Sequence, residues 1–386
     1  MSSSWKERSL LIREWRSSDK RFALSKRIII AGGGTGGHIF PALAIANALK
    51  RKDPDLSILF VGAKGRMEME KIPQAGYLIE GIDIVGFNRS SLIKNVALPW
   101  FLAKSFIQVR KIMNAFKPQA VIGVGGYSSF PVLRYAQARN IPSFIHESNS
   151  FAGKSNILLG RKATRVFVAM DGMERFFPKE KIMITGNPVR ASIVNCRVTR
   201  EEGIRFFGLD PSKETILAIG GSLGAKSING AVGSGLSAFE QNNLQLIWQT
   251  GKQFSQAKEI KSRGLQWLWI GEFIDQMDRA FAAADIVISR AGAMTIAELS
   301  VMGKATIFVP FPFAAEDHQT VNAQNLVNEY AGILIKDSEV NEKLMATVID
   351  LSKDEQKKSD LRLNIKKMGR TDADDVIAGE ILRSIQ

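Results

Sequence analysis

One imidazole stands directly behind the longest glycine run in the chain. Gly32-Gly33-Gly34-Thr35-Gly36-Gly37 is followed at once by His38. Glycines let the backbone approach a ligand and take up φ > 0, and a helix beginning there aims its N–H groups and positive dipole end at the same place. Such a loop seats a phosphate or simply makes a tight turn. A neutral imidazole at that helix start can take a proton from a hydroxyl, and the dipole favours its base form; capping or stacking is the other use of a histidine there. Two carboxylates stand in comparable positions. Glu147, at a strand end, suits a base, a group that orients one, or a salt bridge within a basic region. Glu298, on a helix, could hold two adjacent ribose hydroxyls bidentately, or face solvent.

Other chemistries find no support. Neither Ser128 nor Ser222 lies in G-x-S-x-G, so no nucleophile elbow is expected. His38, His146 and His318 are far apart and no Cys/His spacing suggests zinc, so neither a metal site nor a cofactor is expected. Asp53-Pro54-Asp55 falls between a helix and a strand, on the sheet edge away from the glycine loops, and reads as a turn. Asp372-Ala373-Asp374 falls in a tail helix and reads as solvated.

The elements that must position these groups alternate. Ile28–Ala31 reads as a buried strand and the alanine-rich stretch through Leu49 as a helix. The loop between them satisfies G-x-G-x-x-G, but the second strand, Ser57 to Val61, ends in Gly62-Ala63-Lys64. The carboxylate that a dinucleotide's ribose requires there is missing, which argues against NAD. A helix over 101–116, a strand at 120–124, and the turn Gly125-Gly126 before a further helix follow. The strand at 143–145 delivers His146-Glu147-Ser148-Asn149, and strands at 165–168 and 182–185 lead to Gly186-Asn187-Pro188-Val189-Arg190, a domain-closing turn. The pattern then restarts with a strand at 215–219, the glycine loop 220–224 and a helix from Ala225. Strands at 247–249, 267–270 and 285–289 precede a helix carrying Glu298, and 306–309 reads as the last clear strand. Such alternation predicts parallel sheets with ligands beyond the strand carboxyl ends.

With 386 residues, 45% of them hydrophobic, the chain can bury two α/β cores. The single Cys196 excludes an internal disulfide and fits a reducing compartment. No apolar run has membrane-spanning length. Residues 1–26 are basic, and Arg13 interrupts any signal-peptide core, so a flexible extension is expected, with a weak surface anchor as the alternative. Charge is uneven: through Arg190, 30 Lys and Arg face 13 Asp and Glu, whereas the remainder has 22 against 25. Residues 84–146 hold eight basic residues and no acidic one. Phe87, Arg89, Leu92, Ile93, Lys94, Leu98, Trp100, Phe101, Leu102, Lys104 and Phe106 interleave there. Apolar side chains among cations suit an anionic lipid surface, or a half-buried helix with solvated lysines. No RNA-binding signature accompanies the charge, and nucleic acid is not an expected partner.

Taken together the loops resemble the MurG family, which transfers N-acetylglucosamine to lipid I to make lipid II of peptidoglycan. The pieces are Gly33 to His38 with Pro41; Gly125-Gly126-Tyr127 with Pro131; His146-Glu147 with Asn149; and Gly186 to Arg190. Gly220-Gly221-Ser222 with Gly224-Ala225, Arg290 to Glu298, Pro310-Phe311-Pro312, and Asp317-His318-Gln319 with Asn322-Ala323 follow in family order. The resemblance covers residues 27–335. It implies a GT-B fold, an α/β architecture of two Rossmann-like parallel-sheet domains facing a cleft. Residues 27–190 would form the acceptor and membrane-facing domain, and 191–386 the donor domain with its helical tail. Ile274 would meet the uracil through its backbone, Glu298 the ribose, and Ser222 with Arg190 the nucleotide and diphosphate. Ala293, Met294, Thr295 and Gln319 would line the phosphates and sugar, with Thr35, Gly36, Gly37 and Asn149 completing the site from the first domain. His38 or a Glu147-assisted base would deprotonate the acceptor hydroxyl, with inversion and without metal. The implied partners are UDP-GlcNAc, undecaprenyl-pyrophosphoryl-MurNAc-peptide and the anionic inner leaflet, at the cytoplasmic face of the membrane. The family usually has Gln where this chain has Ser148 and Leu223. A sugar-nucleotide epimerase or a glycolipid glucosyltransferase on the same fold is the alternative.

Overall fold

A computed structural model describes residues 26–86, 96–221, 223–314 and 317–385. The N-terminal extension, Phe87 to Lys94 of the apolar-basic stretch, and Ser222 lie outside the described residues. The chain divides into two compact units, one comprising the residues up to Ser148 with Ala152–Pro188 and Asp372–Gln386, the other Asn149–Phe151 with Val189–Thr371.

The first unit is built on seven parallel strands: β1 (Arg27–Ala31), β2 (Ser57–Ala63), β3 (Leu78–Ile82), β4 (Ala120–Gly123), β5 (Ser143–Glu147), β6 (Arg165–Val168) and β7 (Ile182–Ile184), in the order β3-β2-β1-β4-β5-β6-β7. Ile28, Ile29 and Ile30 of β1 are wholly buried. Helices cover both faces of a parallel sheet, so its central strand is apolar without alternation. The direction of winding reverses between β1 and β4, which pair with Ala31 opposite Gly123. The two glycine turns that follow these strands therefore share the switch point, where such sheets open a crevice. Strand β3 escaped the sequence reading because it is an edge strand, only half-buried, without a clear apolar run.

The second unit repeats the plan with β8 (Glu214–Ile219), β9 (Leu244–Gln249), β10 (Leu268–Gly271), β11 (Ile286–Ser289), β12 (Ala305–Phe308) and β13 (Ile333–Leu334), in the order β10-β9-β8-β11-β12-β13. Ser289 lies opposite Ile219 at its switch point. The two-residue strand β13 is too short for a hydrophobic pattern to reveal.

The last helix, Ala373–Arg383, returns to the first unit, although the sequence reading kept it with the second domain. Its Ile377, Ala378 and Ile381 are fully buried against the helix Gly36–Lys52 side of the first sheet. The expectation of a solvated Asp372-Ala373-Asp374 is corrected here: Arg51 donates to Asp374 at 2.8 Å and to Asp375 at 3.1 Å. The same helix is held at Glu380, which accepts from Arg165 at 3.1 Å. Asp53-Pro54-Asp55 forms the expected turn.

Candidate functional site

In the first unit the glycine loop after β1 and the turn after β4 pack backbone to backbone. A Cβ on Gly126 would come 2.5 Å from the carbonyl oxygen of Gly33, and one on Gly125 would come 2.7 Å from Nε2 of His38. Both residues have positive φ, 98° and 81° for Gly125 and Gly126. Only glycine meets both demands. Helix Gly36–Lys52 starts at the loop with no acidic residue in its first turn, and Thr35 is its N-cap. Gly36 and Gly37 are thus the first helical residues. The Nδ1 of His38 lies 2.9 Å from the carbonyl oxygen of Gly33 and 3.4 Å from the Thr35 hydroxyl. A carbonyl can only accept, so Nδ1 carries the proton and the lone pair of the neutral ring is on Nε2.

His146 and Glu147 are the last residues of β5, and both are buried. Oε2 of Glu147 accepts from the Gly153 N–H at 3.1 Å and from Asn156 at 2.8 Å, at the start of helix Lys154–Gly160. This carboxylate ties a strand end to the next helix. Burial holds the His146 imidazole down to about 4, with the nearby His38 adding to the effect and the Gly186 backbone opposing it. His146 is therefore a neutral, packed histidine. Ser148, at one of the two positions of departure, is buried with its hydroxyl 3.4 Å from Nδ1 of His146, and its carbonyl accepts from Asn187. Leu223, at the other, is 68% exposed.

Asn149 was expected with the first domain; the structure groups residues 149–151 with the second unit instead. The hydroxyl and N–H of Ser150 both bond to Oδ1 of Asn322, whose amide in turn donates to the Ala291 carbonyl at 3.2 Å. That side-chain link holds the segment irrespective of its position in sequence.

In the second unit Glu298 is buried on helix Ala293–Met302, and its Oε1 accepts from Nε of Arg190 at 2.7 Å. Two groups expected to meet ribose and diphosphate separately are thus one ion pair. Ala293, Met294 and Thr295 form the first turn of that helix, which carries no acidic residue. The side chain of Met294 is buried, so its backbone N–H is the group it can present to an anion. Ile274 is buried, and its N–H donates to Oε1 of Gln249 at 2.9 Å. Nε2 of the same glutamine donates to the Gly221 carbonyl at 3.0 Å, joining the glycine loop to the Ile274 backbone. A Cβ on Gly224 would come 2.0 Å from the Thr250 carbonyl oxygen, so this loop too lies flat on a neighbouring strand end. Gln319 accepts from the Phe311 N–H at 3.0 Å. Arg290 bonds to Asp337, to Ser227 and to the Val309 and Pro310 carbonyls, fixing the ends of two strands and the helix after the glycine loop.

Sequence reasoning passed over Gln249, Asp337 and Glu68. Gln249 had a signal, a polar residue closing an otherwise apolar strand at its carboxyl end. Glu68 had none. It lies within a charged stretch, yet it is 1% exposed and accepts the N–H groups of Gly34 at 2.8 Å and Ala63 at 3.0 Å. Among the described residues no cluster of three His, Cys, Asp or Glu could hold a metal ion.

Comparison with known proteins agrees with this geometry. The Glycosyltransferase family 28 N-terminal domain matches residues 28–168 and the Glycosyltransferase family 28 C-terminal domain residues 215–377. A UDP-N-acetylglucosamine--N-acetylmuramyl-(pentapeptide) pyrophosphoryl-undecaprenol N-acetylglucosamine transferase of Phocaeicola vulgatus is 50% identical over 92% of this chain and 96% of its own. The enzyme of the same name from Flavobacterium psychrophilum is 44% identical over 93% and 98%. Among solved structures, MurG of Acinetobacter baumannii superposes with a TM-score of 0.73 at 28% identity, covering 93% of this chain and 99% of that one. UDP-GlcNAc 2-epimerase from Neisseria meningitidis, at 13% identity and a TM-score of 0.68 over 93% and 100%, shares the fold alone. The two matched domains, the glycine-loop sheets and the near full-length identity together show that the chain belongs to glycosyltransferase family 28, in the MurG family.

Proposed function

We propose that this chain transfers N-acetylglucosamine from UDP-GlcNAc to the 4-hydroxyl of the MurNAc residue of undecaprenyl-pyrophosphoryl-MurNAc-peptide, converting lipid I to lipid II with inversion at the anomeric carbon. The observation that carries this reading is identity of 44–50% to transferases of that name over nearly their whole length.

The donor belongs to the second unit. The Ile274 N–H is already bonded to Gln249, so the uracil contact falls to the Ile274 carbonyl. Glu298, oriented by Arg190, takes the ribose hydroxyls. The N–H groups of Ala293, Met294 and Thr295 face the diphosphate, with Gln319 beside the phosphates and sugar. Preorganised N–H donors stabilise the charge growing on the leaving UDP by several kcal/mol, a role that a metal ion plays in other transferases. Metal-independent turnover follows from this assignment. In the first unit Nε2 of His38 is the base that takes the acceptor's proton, with Thr35, Gly36 and Gly37 beside it. Glu147 acts through the strand end it fixes, and Asn149 lines the donor's sugar.

Among the described residues no helix is long and apolar enough to cross a membrane. Helix Leu98–Phe116 nevertheless presents Trp100, 72% exposed, and Ile107, 60% exposed, with Val96 just before it and Lys104, Arg110 and Lys111 between and beyond them. Lys104 pairs with Asp83 at 3.1 Å, which leaves Arg110 and Lys111 as the cations that would accompany these apolar side chains onto an anionic lipid surface and keep the enzyme beside its lipid acceptor on the cytoplasmic face of the membrane.

The test is incubation with UDP-GlcNAc and a lipid I analogue in excess EDTA, with mass spectrometry for the disaccharide lipid. Product that requires the lipid, and falls at least a hundredfold in His38→Ala and tenfold in Glu298→Ala, is expected. UDP release without acceptor would return the function to an epimerase. Activity abolished by EDTA and restored by magnesium would overturn the metal-free assignment.

A further inference from the structure

The peptide unit between Gly33 and Gly34 is engaged at both ends. Its carbonyl oxygen accepts from Nδ1 of His38 at 2.9 Å, and its N–H donates to Oε2 of Glu68 at 2.8 Å. The other carboxylate oxygen, Oε1, accepts the N–H of Ala63 at the end of β2, at 3.0 Å. Glu68 is therefore locked between the strand end and the glycine loop, 1% exposed. The glycines around it make that possible: a Cβ on Gly33 would come 2.3 Å from Oε1, and one on Gly62 2.5 Å from Cγ of Glu68. We infer that Glu68 is a positioning residue for the reaction, acting on His38 through one peptide group in a carboxylate–peptide–imidazole relay.

The physical content is direct. A carboxylate that accepts from a peptide N–H polarises that peptide and makes its carbonyl a better acceptor. The stronger acceptor holds the proton on Nδ1, fixes the ring plane, and leaves Nε2 as the basic atom. In many hydrolases a carboxylate contacts the imidazole itself; here the glycine loop is interposed, so the same strand-loop-helix turn that shapes the site also transmits the charge. Two N–H groups point at the one side chain, so a glutamine there could accept only one of them and would set an NH2 against the other. The titratable groups that face His38 and its loop include His146 from β5, Glu68 from helix Glu68–Gln74, and Tyr127, whose ring lies against Gly34.

This inference rests on His38 being the base. Nitrogen-15 spectra of the histidine rings, assigned with His38→Gln, test the relay without turnover, and steady-state kinetics test its use. In the unsubstituted protein the neutral His38 ring is expected as the Nδ1–H tautomer. In Glu68→Gln the His38 ring resonances shift toward a tautomer mixture, and kcat falls about tenfold, roughly the effect of one charge-assisted hydrogen bond. The KM for UDP-GlcNAc stays within twofold, and the acidic limb of the kcat profile moves to lower pH. An Nε2–H tautomer in the unsubstituted protein overturns the relay even if the variant does not fold. Unchanged His38 resonances in a folded Glu68→Gln overturn it too, while leaving the base assignment intact. Full activity in His38→Ala would instead remove the base, and the catalytic use of the relay with it.

Discussion

Replacing Gly125 by alanine tests whether the position of one imidazole controls turnover. The new Cβ would be built 2.6 Å from Cδ2 and 2.7 Å from Nε2 of His38. Non-bonded carbon atoms settle near 3.5 Å or beyond, so the ring or the turn must retreat by about 0.9 Å. The retreat is costly either way, because the ring is bonded to the Gly33 carbonyl and the turn is packed on the same loop through Gly126. Displacing a reacting group by about 1 Å costs on the order of 10²-fold in rate. Alanine at a φ of 98° adds about 1–2 kcal/mol of backbone strain, a modest loss for a unit of this size. The expected result is a kcat with the lipid acceptor about a hundredfold lower, a small fall in Tm, and unchanged UDP-GlcNAc affinity, since the groups proposed to bind the donor lie in the second unit. A folded Gly125→Ala protein with ordinary kcat would refute the reasoning, because the base would then tolerate a shift larger than proton transfer allows.

Three further outcomes follow from the same structure. Ile377→Ala, at a fully buried position of the returning helix, should destabilise the first unit by about 2–5 kcal/mol in urea unfolding while UDP binding persists. Between about pH 6.5 and 4 the unfolded chain takes up a proton at His146 that the folded, buried imidazole refuses. The His146 contribution should therefore be level above about pH 6.5 and fall below it by up to about 3 kcal/mol, a slope that urea midpoints in His146→Gln should lack. Trp100→Glu with Ile107→Glu should release the protein from anionic vesicles in co-sedimentation by at least tenfold, with activity on a short-chain, water-soluble acceptor retained.

Local sequence determined most of the frame. Buried parallel strands read as unbroken apolar runs, and the turns after β1, β4 and β8 hold positions that only glycine fills, so these strands with their loops, and the apolar run of β11, were legible one by one. The helix carrying Glu298 and the turn ending at Arg190 were legible for the same reason. Contacts between distant positions were not. Nothing in the sequence pairs Arg190 with Glu298, 108 residues apart, or aims Glu68 at the peptide of Gly33 and Gly34, because a charged residue near a helix start has the same local signature whether it is solvated or buried. Asp374 looked solvated until the chain's return set it beside Arg51, and Asn149 looked part of the first domain until Asn322 captured its neighbour Ser150. Periodicity reports which face of an element is apolar; which partner that face meets, and which polar group is trapped with it, is decided only when the sheets wind and the last helix returns.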